Sequence, residues 1–186
     1  MAFISQEDLN SCKSLKSIAY LSTGLKTHGD LKTAKSLGIK FEGVKDYGNI
    51  AVAEHTITLA LASLKRIVEM DNIVRSRNWS LLKTEEFSSK TFGLIGFGGI
   101  GKETAKMASA LGARTIAWNR TKKELDGVEF LPLDRVLSES DILSFHLALN
   151  DQTISFLDDE KLYKTKKGVI FVNTSRAEIL NEKTII

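Results

Sequence analysis

The stretch GLIGFGGIGKETAKMASALG, residues 93–112, decides the fold. A short apolar run leads into Gly96, Gly98 and Gly101, and an apolar pattern of helical period then continues to Gly112. This is the G-x-G-x-x-G spacing of a strand–turn–helix unit that binds the pyrophosphate of a dinucleotide. The first glycine permits a tight turn, the second lets the backbone approach the phosphates, and the third lets the helix pack on the strand. The helix N-terminus offers free N–H groups and a positive dipole end. We therefore predict a dinucleotide site, against the alternative of a glycine-rich turn without a ligand.

The sequence around this stretch predicts a parallel sheet covered by helices. Short apolar runs alternate with helical patterns from residue 91 onward. The runs are TFGLIGF (91–97), ARTIAW (113–118), GVEFLPL (127–133), DILSFHL (141–147) and GVIFVN (168–173). We predict an α/β fold with a Rossmann-like, doubly wound parallel sheet, in which the last run is an unprotected apolar edge strand.

Residues 1–50 predict a smaller α/β piece. SIAYLS (17–22) and IKFEGV (39–44) are typical of strands, and LKTAKSLG (31–38) between them is typical of a short helix ended by Gly38. Beyond them, apolar positions from Ile50 to Asn78 recur with a period close to 3.6, which predicts one long helix. We place the domain boundary between residues 50 and 51, so that the second domain covers 51–186.

Composition excludes several classes of protein. The net charge of +3 arises from acidic and basic residues that alternate along the chain, so no basic block indicates nucleic-acid binding. A single cysteine, Cys12, cannot form an internal disulfide, and three scattered histidines give no zinc spacing, so we predict no metal. No secretory signal pattern or membrane-spanning run is seen, and a reducing cytoplasm fits these features best.

Asn119 and Arg120 bear on which dinucleotide is bound. An NAD site usually carries Asp or Glu about 20 residues after the glycines, where it accepts hydrogen bonds from the ribose. Here Asn119 lies 18 residues past Gly101 and is followed by Arg120, Thr121 and Lys122. A neutral residue followed by cations tolerates a 2′-phosphate, which Arg120 could bind in bidentate fashion. We favour NADP over NAD; the alternative is that Arg120 is a solvated turn residue and Asn119 a ribose ligand.

His146 and Arg176 lie at the carboxyl ends of two predicted strands, where open α/β sheets bind ligands. A lone histidine at such a position is more often a packing residue than a catalyst. Arg176 follows a buried strand, and its guanidinium could hold a substrate carboxylate and polarise the neighbouring carbonyl. The competing interpretation is an arginine that binds nearby backbone carbonyls.

Four stretches together resemble the D-isomer-specific 2-hydroxyacid dehydrogenase family. They are SIAYLSTGLKTHGDLKTAKSLGIKFEGV (17–44), NIAVAEHTITLALASLKRI (49–67), GLIGFGGIGKETAKMASALGARTIAWNR (93–120) and DILSFHLALNDQTISFLDDEKLYKTKKGVIFVNTSRAEILNE (141–182). In order, they resemble the end of the substrate domain, the helix that links the two domains, the cofactor fingerprint and the second signature of the nucleotide domain. The resemblance implies a remnant of a flavodoxin-like substrate domain in residues 1–50.

The resemblance also implies an activity and roles for individual residues. The activity is hydride transfer between NAD(P)H and a small 2-keto acid such as glyoxylate or hydroxypyruvate, in a cytoplasmic homodimer. Arg176 matches the catalytic, substrate-binding arginine, and Thr23 and Gly24 match the loop whose backbone amides meet the substrate carboxylate. The implied cofactor-binding residues are Gly96, Phe97, Gly98, Gly99, Ile100, Gly101, Asn119, Arg120, Thr121, His146, Leu147, Thr153 and Thr174.

The chain also departs from the pattern of this family. Ala148 replaces a usual proline, Ala177 replaces the glycine after the arginine, and Asn119 replaces the usual aspartate, a change that in the family often accompanies NADP use. The proton-transferring glutamate and histidine of the family would lie beyond Ile186, and the three histidines present match other family positions. We therefore keep two alternatives open: a dinucleotide-binding module without catalysis, like the corepressors of this family, and a remnant that binds nothing.

Overall fold

The structure is a computed structural model that describes residues 3–21, 25, 28–181 and 183. The chain forms two compact units, Met1–Tyr47 and Gly48–Ile186. The border between them lies three residues before the predicted domain boundary. The assignment of the first unit to a substrate domain stays a prediction.

The first unit contains the predicted strand–helix–strand piece and one additional helix. Strands β1 (Ser17–Tyr20) and β2 (Lys40–Gly43) pair in parallel, and α2 (Leu31–Ser36) connects them. The sequence interpretation missed α1 (Gln6–Ser11), which begins at a capping box formed by Ser5 and Asp8. Leu9, Ala34 and Ile39 form the small core of this unit.

The prediction of one long helix over residues 50–78 is wrong. The segment forms two helices, α3 (Asn49–Leu64) and α4 (Ile67–Arg75). Arg66 separates them, because its backbone adopts the left-handed conformation at φ 53° and ψ 39°. The apolar period continues across this break, which is why it could not be seen from the pattern alone. α3 buries Ala53, Ile57, Ala60 and Leu64, whereas α4 buries no side chain.

The second unit contains the predicted five-stranded parallel sheet. Its strands are β3 (Thr91–Ile95), β4 (Arg114–Trp118), β5 (Val128–Phe130), β6 (Ile142–Phe145) and β7 (Ile170–Asn173). Their order in the sheet is β5-β4-β3-β6-β7, and all four pairings are parallel. This order matches five strands of the doubly wound topology, with the switch of direction at β3. The predicted fold class is confirmed.

Helices cover both faces of this sheet, because side chains alternate between the faces along each strand. Phe92 and Leu94 of β3 point to the face covered by α3 and α5 (Gly99–Ala110). Ile95 of the same strand points to the opposite face, which α6 (Leu133–Glu139) covers. A last helix, α7 (Asp159–Tyr163), follows β6 along the chain.

Strand β7 lies at one edge of the described sheet, as predicted. Of its four residues only Val172 is fully buried, and Ile170 and Phe171 are partly exposed. A polar Asn173 ends the strand. Within the described ranges, no helix is long and apolar enough to span a bilayer.

Candidate functional site

The predicted cofactor residues of the second unit converge on the carboxyl edge of its sheet. The glycine loop follows β3, Asn119 follows β4, His146 follows β6, and Thr174 follows β7. These strands are consecutive neighbours in the order β4-β3-β6-β7, so the loops that follow them are neighbours too. In this type of sheet, ligands bind beyond the carboxyl end of β3, between the loops that follow its neighbours β4 and β6.

Gly96 and Gly101 are required by close backbone packing. Gly96 has φ +95°, and a Cβ built on it would lie 2.7 Å from the carbonyl oxygen of His146. A Cβ on Gly101 would lie 2.6 Å from the carbonyl oxygen of Gly96. The turn after β3 is therefore pressed against the loop after β6 on one side and against the first turn of α5 on the other.

Gly98 differs from these two glycines because a Cβ built on it would face open space. It is the N-cap of α5, with φ −84° and ψ −162°, and no heavy atom lies within 4 Å of a Cβ built on it. The first N–H groups of α5 have no partner within the helix and form the positive end of its dipole. An open cradle at a helix N-terminus is the arrangement that binds a pyrophosphate, so the residues present fit a dinucleotide.

Asn119 ties the glycine loop to the loop after β4. Its Oδ1 accepts a hydrogen bond of 2.9 Å from the N–H of Phe97. Its Nδ2 donates to the carbonyl oxygen and to Oγ1 of Thr121, at 2.9 and 3.0 Å. The Phe97 ring is buried and makes an edge contact with Phe130 at 4.8 Å between centroids. Phe97 therefore shapes the loop, and its N–H is already bonded.

Arg120 bonds across to the loop that follows β6. Its Nη1 donates to Oε1 of Gln152 at 2.7 Å, and both side chains are exposed. Two hydrogen bonds stabilise the turn that carries Gln152. The N–H of Gln152 donates to Oδ1 of Asn150 at 2.9 Å, and the Thr153 hydroxyl donates to the carbonyl of Ala148 at 2.7 Å. The predicted cofactor residue Thr153 thus stabilises its own turn.

An open cavity of about 560 Å³ lies beside the segment that follows β4. Its rim carries Asn119, Thr121, Lys122 and Lys123, and its apolar wall includes Phe130. Lys122 lies 3.1 Å from the carboxylate of Glu124, and both side chains are well exposed. Glu124 and Asp126 also line the cavity, so its polar lining carries two lysines and two carboxylates beside the amide of Asn119 and the hydroxyl of Thr121.

His146 is held in its neutral form. Burial lowers the pKa of His146 to about 4, because a charged imidazole loses its hydration there. Its Nε2 lies 2.9 Å from Oγ of Ser144, which is fully buried. The neighbouring Leu147 contacts Gly96, since its Cδ2 lies 3.0 Å from the Cβ position built on that glycine. His146 and Leu147 thus both pack against the turn at Gly96.

Thr174 lies at the end of β7 and is bonded to α3. Its Oγ1 lies 2.9 Å from Oγ1 of Thr56, which itself donates to the carbonyl of Val52 at 2.8 Å. Because Thr56 has a single hydroxyl proton, Thr174 is the donor in the pair. Thr174 also lines a cavity of about 470 Å³, which His55 of α3 lines from the other side.

Arg176 is exposed and bonds within its own loop. Its Nη1 donates to the carbonyl of Ser175 at 2.9 Å, which is the competing interpretation considered from the sequence. Asn173 holds this loop: its Nδ2 donates to the Arg176 carbonyl at 2.8 Å, and its Oδ1 accepts from the Ser175 hydroxyl at 2.7 Å. The exposed guanidinium is therefore carried on a braced loop.

The remaining predicted residues are the substrate-binding pair Thr23 and Gly24 and the cofactor-binding pair Gly99 and Ile100. Thr23 and Gly24, predicted to bind the substrate carboxylate, lie outside the described residues. Gly99 and Ile100 form the first turn of α5, and a Cβ on Gly99 would lie 2.2 Å from Nδ2 of Asn49. Over the described ranges, no three His, Cys, Asp or Glu side chains are grouped so that they could hold a metal ion.

Three residues that support the site were missed from the sequence: Thr56, Gln152 and Asn173. The only local signal was at Asn173, since an Asn followed by Thr and Ser at a strand end is typical of an Asx turn. Thr56 and Gln152 act over 118 and 32 residues of chain, so no local pattern could have revealed them.

A family model, curated relatives and solved structures all relate this chain to 2-hydroxyacid dehydrogenases. Residues 57–186 match the family described as D-isomer specific 2-hydroxyacid dehydrogenase, NAD binding domain. A hydroxypyruvate reductase of Thermotoga maritima is 36% identical over 185 residues, covering 98% of this chain and 60% of that protein. The crystal structure of a glyoxylate reductase from Paecilomyes thermophila is 31% identical, with a TM-score of 0.90, and the match covers 98% of this chain and 57% of the other.

A further solved structure is an acyclic imino acid reductase in complex with NADPH and D-Arg. It is 26% identical with a TM-score of 0.91, and the match covers all of this chain and 61% of that one. The chain thus spans about 60% of the length of the curated relatives it matches.

Proposed function

Because the chain belongs to the D-isomer-specific 2-hydroxyacid dehydrogenase family, we propose that it takes part in NAD(P)H-dependent reduction of a small 2-keto acid. The observation that carries this proposal is the open cradle at Gly98, where the N-terminus of α5 meets the carboxyl edge of a parallel sheet. Relatives named hydroxypyruvate and glyoxylate reductase support glyoxylate or hydroxypyruvate as the substrate class.

In this proposal, residues of the second unit bind and orient the coenzyme. The first N–H groups of α5, at Gly99 and Ile100, bind the pyrophosphate, and Thr174 orients the nicotinamide end. A bound reduced nicotinamide supplies the hydride that is transferred to the keto carbon. The neutral imidazole of His146 adds no charge to the loop on the adenine side.

Arg176 is the proposed catalytic residue of the described chain. Its loop is braced by Asn173, and its guanidinium has donors left to bind the substrate carboxylate and to polarise the keto group. The resemblance assigns the backbone amides of Thr23 and Gly24 to the same carboxylate. It assigns the proton to a histidine and glutamate at positions beyond Ile186.

NADPH is the proposed coenzyme in preference to NADH. Asn119 stands where a carboxylate would repel a 2′-phosphate, Arg120 follows it directly, and Lys122 and Lys123 line the neighbouring cavity. The NADPH complex of a relative with the same fold is consistent with this choice.

Coenzyme titration by calorimetry tests the binding proposal. We expect NADPH to bind more tightly than NADH by about tenfold, equivalent to one charge-assisted contact. Asn119→Asp should reverse this preference, because a carboxylate repels the 2′-phosphate and accepts hydrogen bonds from a free 2′-hydroxyl. If neither coenzyme binds, the chain is a remnant without this function.

Turnover of glyoxylate and hydroxypyruvate, followed by the absorbance of reduced nicotinamide, tests the catalytic proposal. In a protein carrying this chain that shows turnover, Arg176→Ala should reduce kcat/KM by at least about 100-fold while the Kd for NADPH stays unchanged. Arg176→Lys is the matched control, since it keeps the charge and loses the planar fork. Loss of NADPH binding in Arg176→Ala would contradict the role assigned to this residue.

The second candidate function is a dinucleotide-binding module without catalysis. It is favoured by the hydrogen bond that Arg176 makes to the carbonyl of Ser175 within its own loop. NADPH binding without any reduction of glyoxylate by the 186-residue chain would support it. Detectable NADPH-dependent reduction would exclude it.

We also propose that the protein forms a homodimer in the cytoplasm. The exposed Cys12 thiol fits a reducing compartment. α4 contributes no fully buried side chain, and several apolar side chains of α4 and of the segment after it are exposed, so that a second copy would cover them. The exposed apolar side chains are Ile67, Val68, Val74, Trp79 and Leu81.

Light scattering after gel filtration tests the dimer. Val68→Lys combined with Trp79→Lys should convert a dimer to a monomer, because two charges would be buried in the contact. Tyr163→Lys is the control, since Tyr163 of α7 is 89% exposed and lies outside this surface. A wild-type protein that is already monomeric would contradict the proposal.

A further inference from the structure

The hydrogen bond between Arg120 and Gln152 joins two loops at the carboxyl edge of the sheet. Arg120 follows β4 and Gln152 lies in the loop after β6, and these two strands flank β3 in the sheet. The glycine loop follows β3, so the 2.7 Å bond from Nη1 to Oε1 joins the two loops on either side of it.

Both ends of this bond are fixed by their own loops. Gln152 belongs to the turn held by Asn150 and Thr153, in which the N–H of Asn150 donates to the Thr153 hydroxyl at 2.8 Å. On the other side, Asn119 bonds to both Phe97 and Thr121 and so fixes the chain before and after Arg120. The position of the guanidinium therefore depends on two braced loops and one amide acceptor between them.

The partner of Arg120 is neutral, whereas four other arginines of the second unit are paired with carboxylates. Arg66, Arg75, Arg114 and Arg135 are each ion-paired with a carboxylate at 2.8 Å or less. Among the described side chains, no carboxylate forms such a pair with Arg120. Gln152 accepts one of the five guanidinium N–H donors, and it leaves the positive charge and the other donors for a ligand.

We propose that Gln152 is a positioning residue that sets the coenzyme specificity of this site. It holds the Arg120 guanidinium across the crevice without neutralising its charge, so that the guanidinium meets the 2′-phosphate of NADPH. This inference rests on the proposed coenzyme function and deepens it. A carboxylate at position 152 would instead form an ion pair with Arg120 and would neutralise the charge that attracts the phosphate.

The test compares ligands that differ in the 2′-phosphate alone, in the wild-type chain and in Gln152→Glu and Gln152→Ala. The probes are NADPH against NADH and adenosine 2′,5′-bisphosphate against adenosine 5′-monophosphate, titrated by calorimetry. Gln152→Glu should weaken NADPH and the bisphosphate by about tenfold or more and change NADH by less than about twofold. Gln152→Ala should have a smaller effect of the same sign, because the guanidinium keeps its charge and loses its orientation.

Two further measurements separate positioning from a general structural effect. In an Arg120→Ala background, Gln152→Glu should alter the ratio of the two coenzyme affinities far less than it does in the wild type, since the residue acts through Arg120. The discrimination should also fall as salt rises, because both side chains are exposed and the charge interaction is screened. Thermal unfolding of each variant verifies that the fold is kept.

The outcomes distinguish this inference from the proposed function. A wild-type chain that binds neither coenzyme overturns the proposed function and the role of Gln152 together. A chain that binds both coenzymes, with the same affinity ratio in Gln152→Glu as in the wild type, overturns the role of Gln152 alone. Equal weakening of NADPH and NADH also overturns it, since that result indicates damage to the shared part of the site.

Discussion

Gly96 and Gly98 lie two residues apart, yet an added methyl group would meet opposite surroundings at the two positions. At Gly98 the methyl would point into open space, with a backbone that any residue can adopt. Gly98→Ala should therefore change the free energy of unfolding by no more than about 1 kcal/mol. It should weaken NADPH by at least about tenfold, because the methyl occupies the approach to the phosphates. Urea unfolding and calorimetry on one sample measure both effects.

Gly96→Ala should act on stability instead. Its methyl would lie 2.7 Å from the carbonyl oxygen of His146, and its φ is +95°. We expect a loss of about 3 kcal/mol or more, from strain and overpacking together. Gly127→Ala is the control, since Gly127 has φ +78° but no neighbour within 4 Å, and it should cost only about 1 kcal/mol. Equal losses at the two positions would contradict the close packing of the turn.

His146 predicts how stability depends on pH. Burial lowers the pKa of His146 to about 4, well below the usual 6.5, so the folded protein binds this proton less readily than the unfolded chain. The contribution of the neutral imidazole is complete above pH 6.5 and is lost as the pH falls toward 4. We expect this one residue to remove about 3 kcal/mol over that interval. Urea unfolding from pH 7 to pH 4 measures the loss.

The variant His146→Gln isolates this contribution. Glutamine does not titrate, so the variant should lose less stability than the wild type between pH 6.5 and 4, whatever its stability at pH 7. His55→Gln on the exposed side of α3 serves as the control substitution for the exchange of a histidine for glutamine. An unchanged slope in His146→Gln would show that the imidazole is accessible to water in the folded protein.

At the scale of elements, the break between α3 and α4 rests on the left-handed backbone of Arg66. Arg66→Gly and Arg66→Ala both remove its exposed ion pair with Glu69, so their comparison isolates the backbone. Glycine adopts φ 53° without penalty, and alanine does not. Arg66→Gly should therefore be more stable than Arg66→Ala by about 1 kcal/mol in urea unfolding. If Arg66→Ala is the more stable variant, α3 and α4 form one continuous helix.

This break also illustrates how far elements could be predicted from the sequence. The five strands from Thr91 to Asn173 were predictable because buried parallel strands are nearly continuous apolar runs, bounded here by polar turns. Arg66 was not, because the apolar period continues through it and only its backbone angles reveal the turn. α1 was missed because six residues are too few to show a helical period.

The features of the candidate site also differ in whether they could be predicted from the sequence. Its glycines were predictable, since each has a local role in the turn, in the approach of the phosphates or in helix packing, and the spacing of these roles repeats in every such motif. The bonds of Thr56 with Thr174 and of Gln152 with Arg120 were not, because each joins side chains that only the sheet order brings together. In our proposal, coenzyme specificity and orientation therefore depend on contacts between elements, whereas phosphate binding depends on one local motif.

At the scale of the whole molecule, the chain has separate cores in its two units. Leu9, Ala34 and Ile39 belong to the core of Met1–Tyr47, and the two core clusters on either face of the five-stranded sheet belong to Gly48–Ile186. Every described side chain that we assign to the coenzyme also belongs to the second unit. A unit with its own core and its own binding residues meets the requirements for independent folding.

Residues 48–186 alone should therefore fold cooperatively and bind NADPH with a Kd within about threefold of the 186-residue chain. Urea unfolding and calorimetry on both proteins measure this, and Gln152→Glu should shift the coenzyme ratio equally in the two. The substrate is expected to behave differently, because the resemblance assigns part of its carboxylate contact to Thr23 and Gly24 in the deleted segment. A loss of NADPH affinity beyond about tenfold would mean that the first unit contributes to coenzyme binding, and the assignment of that site to the second unit would be wrong.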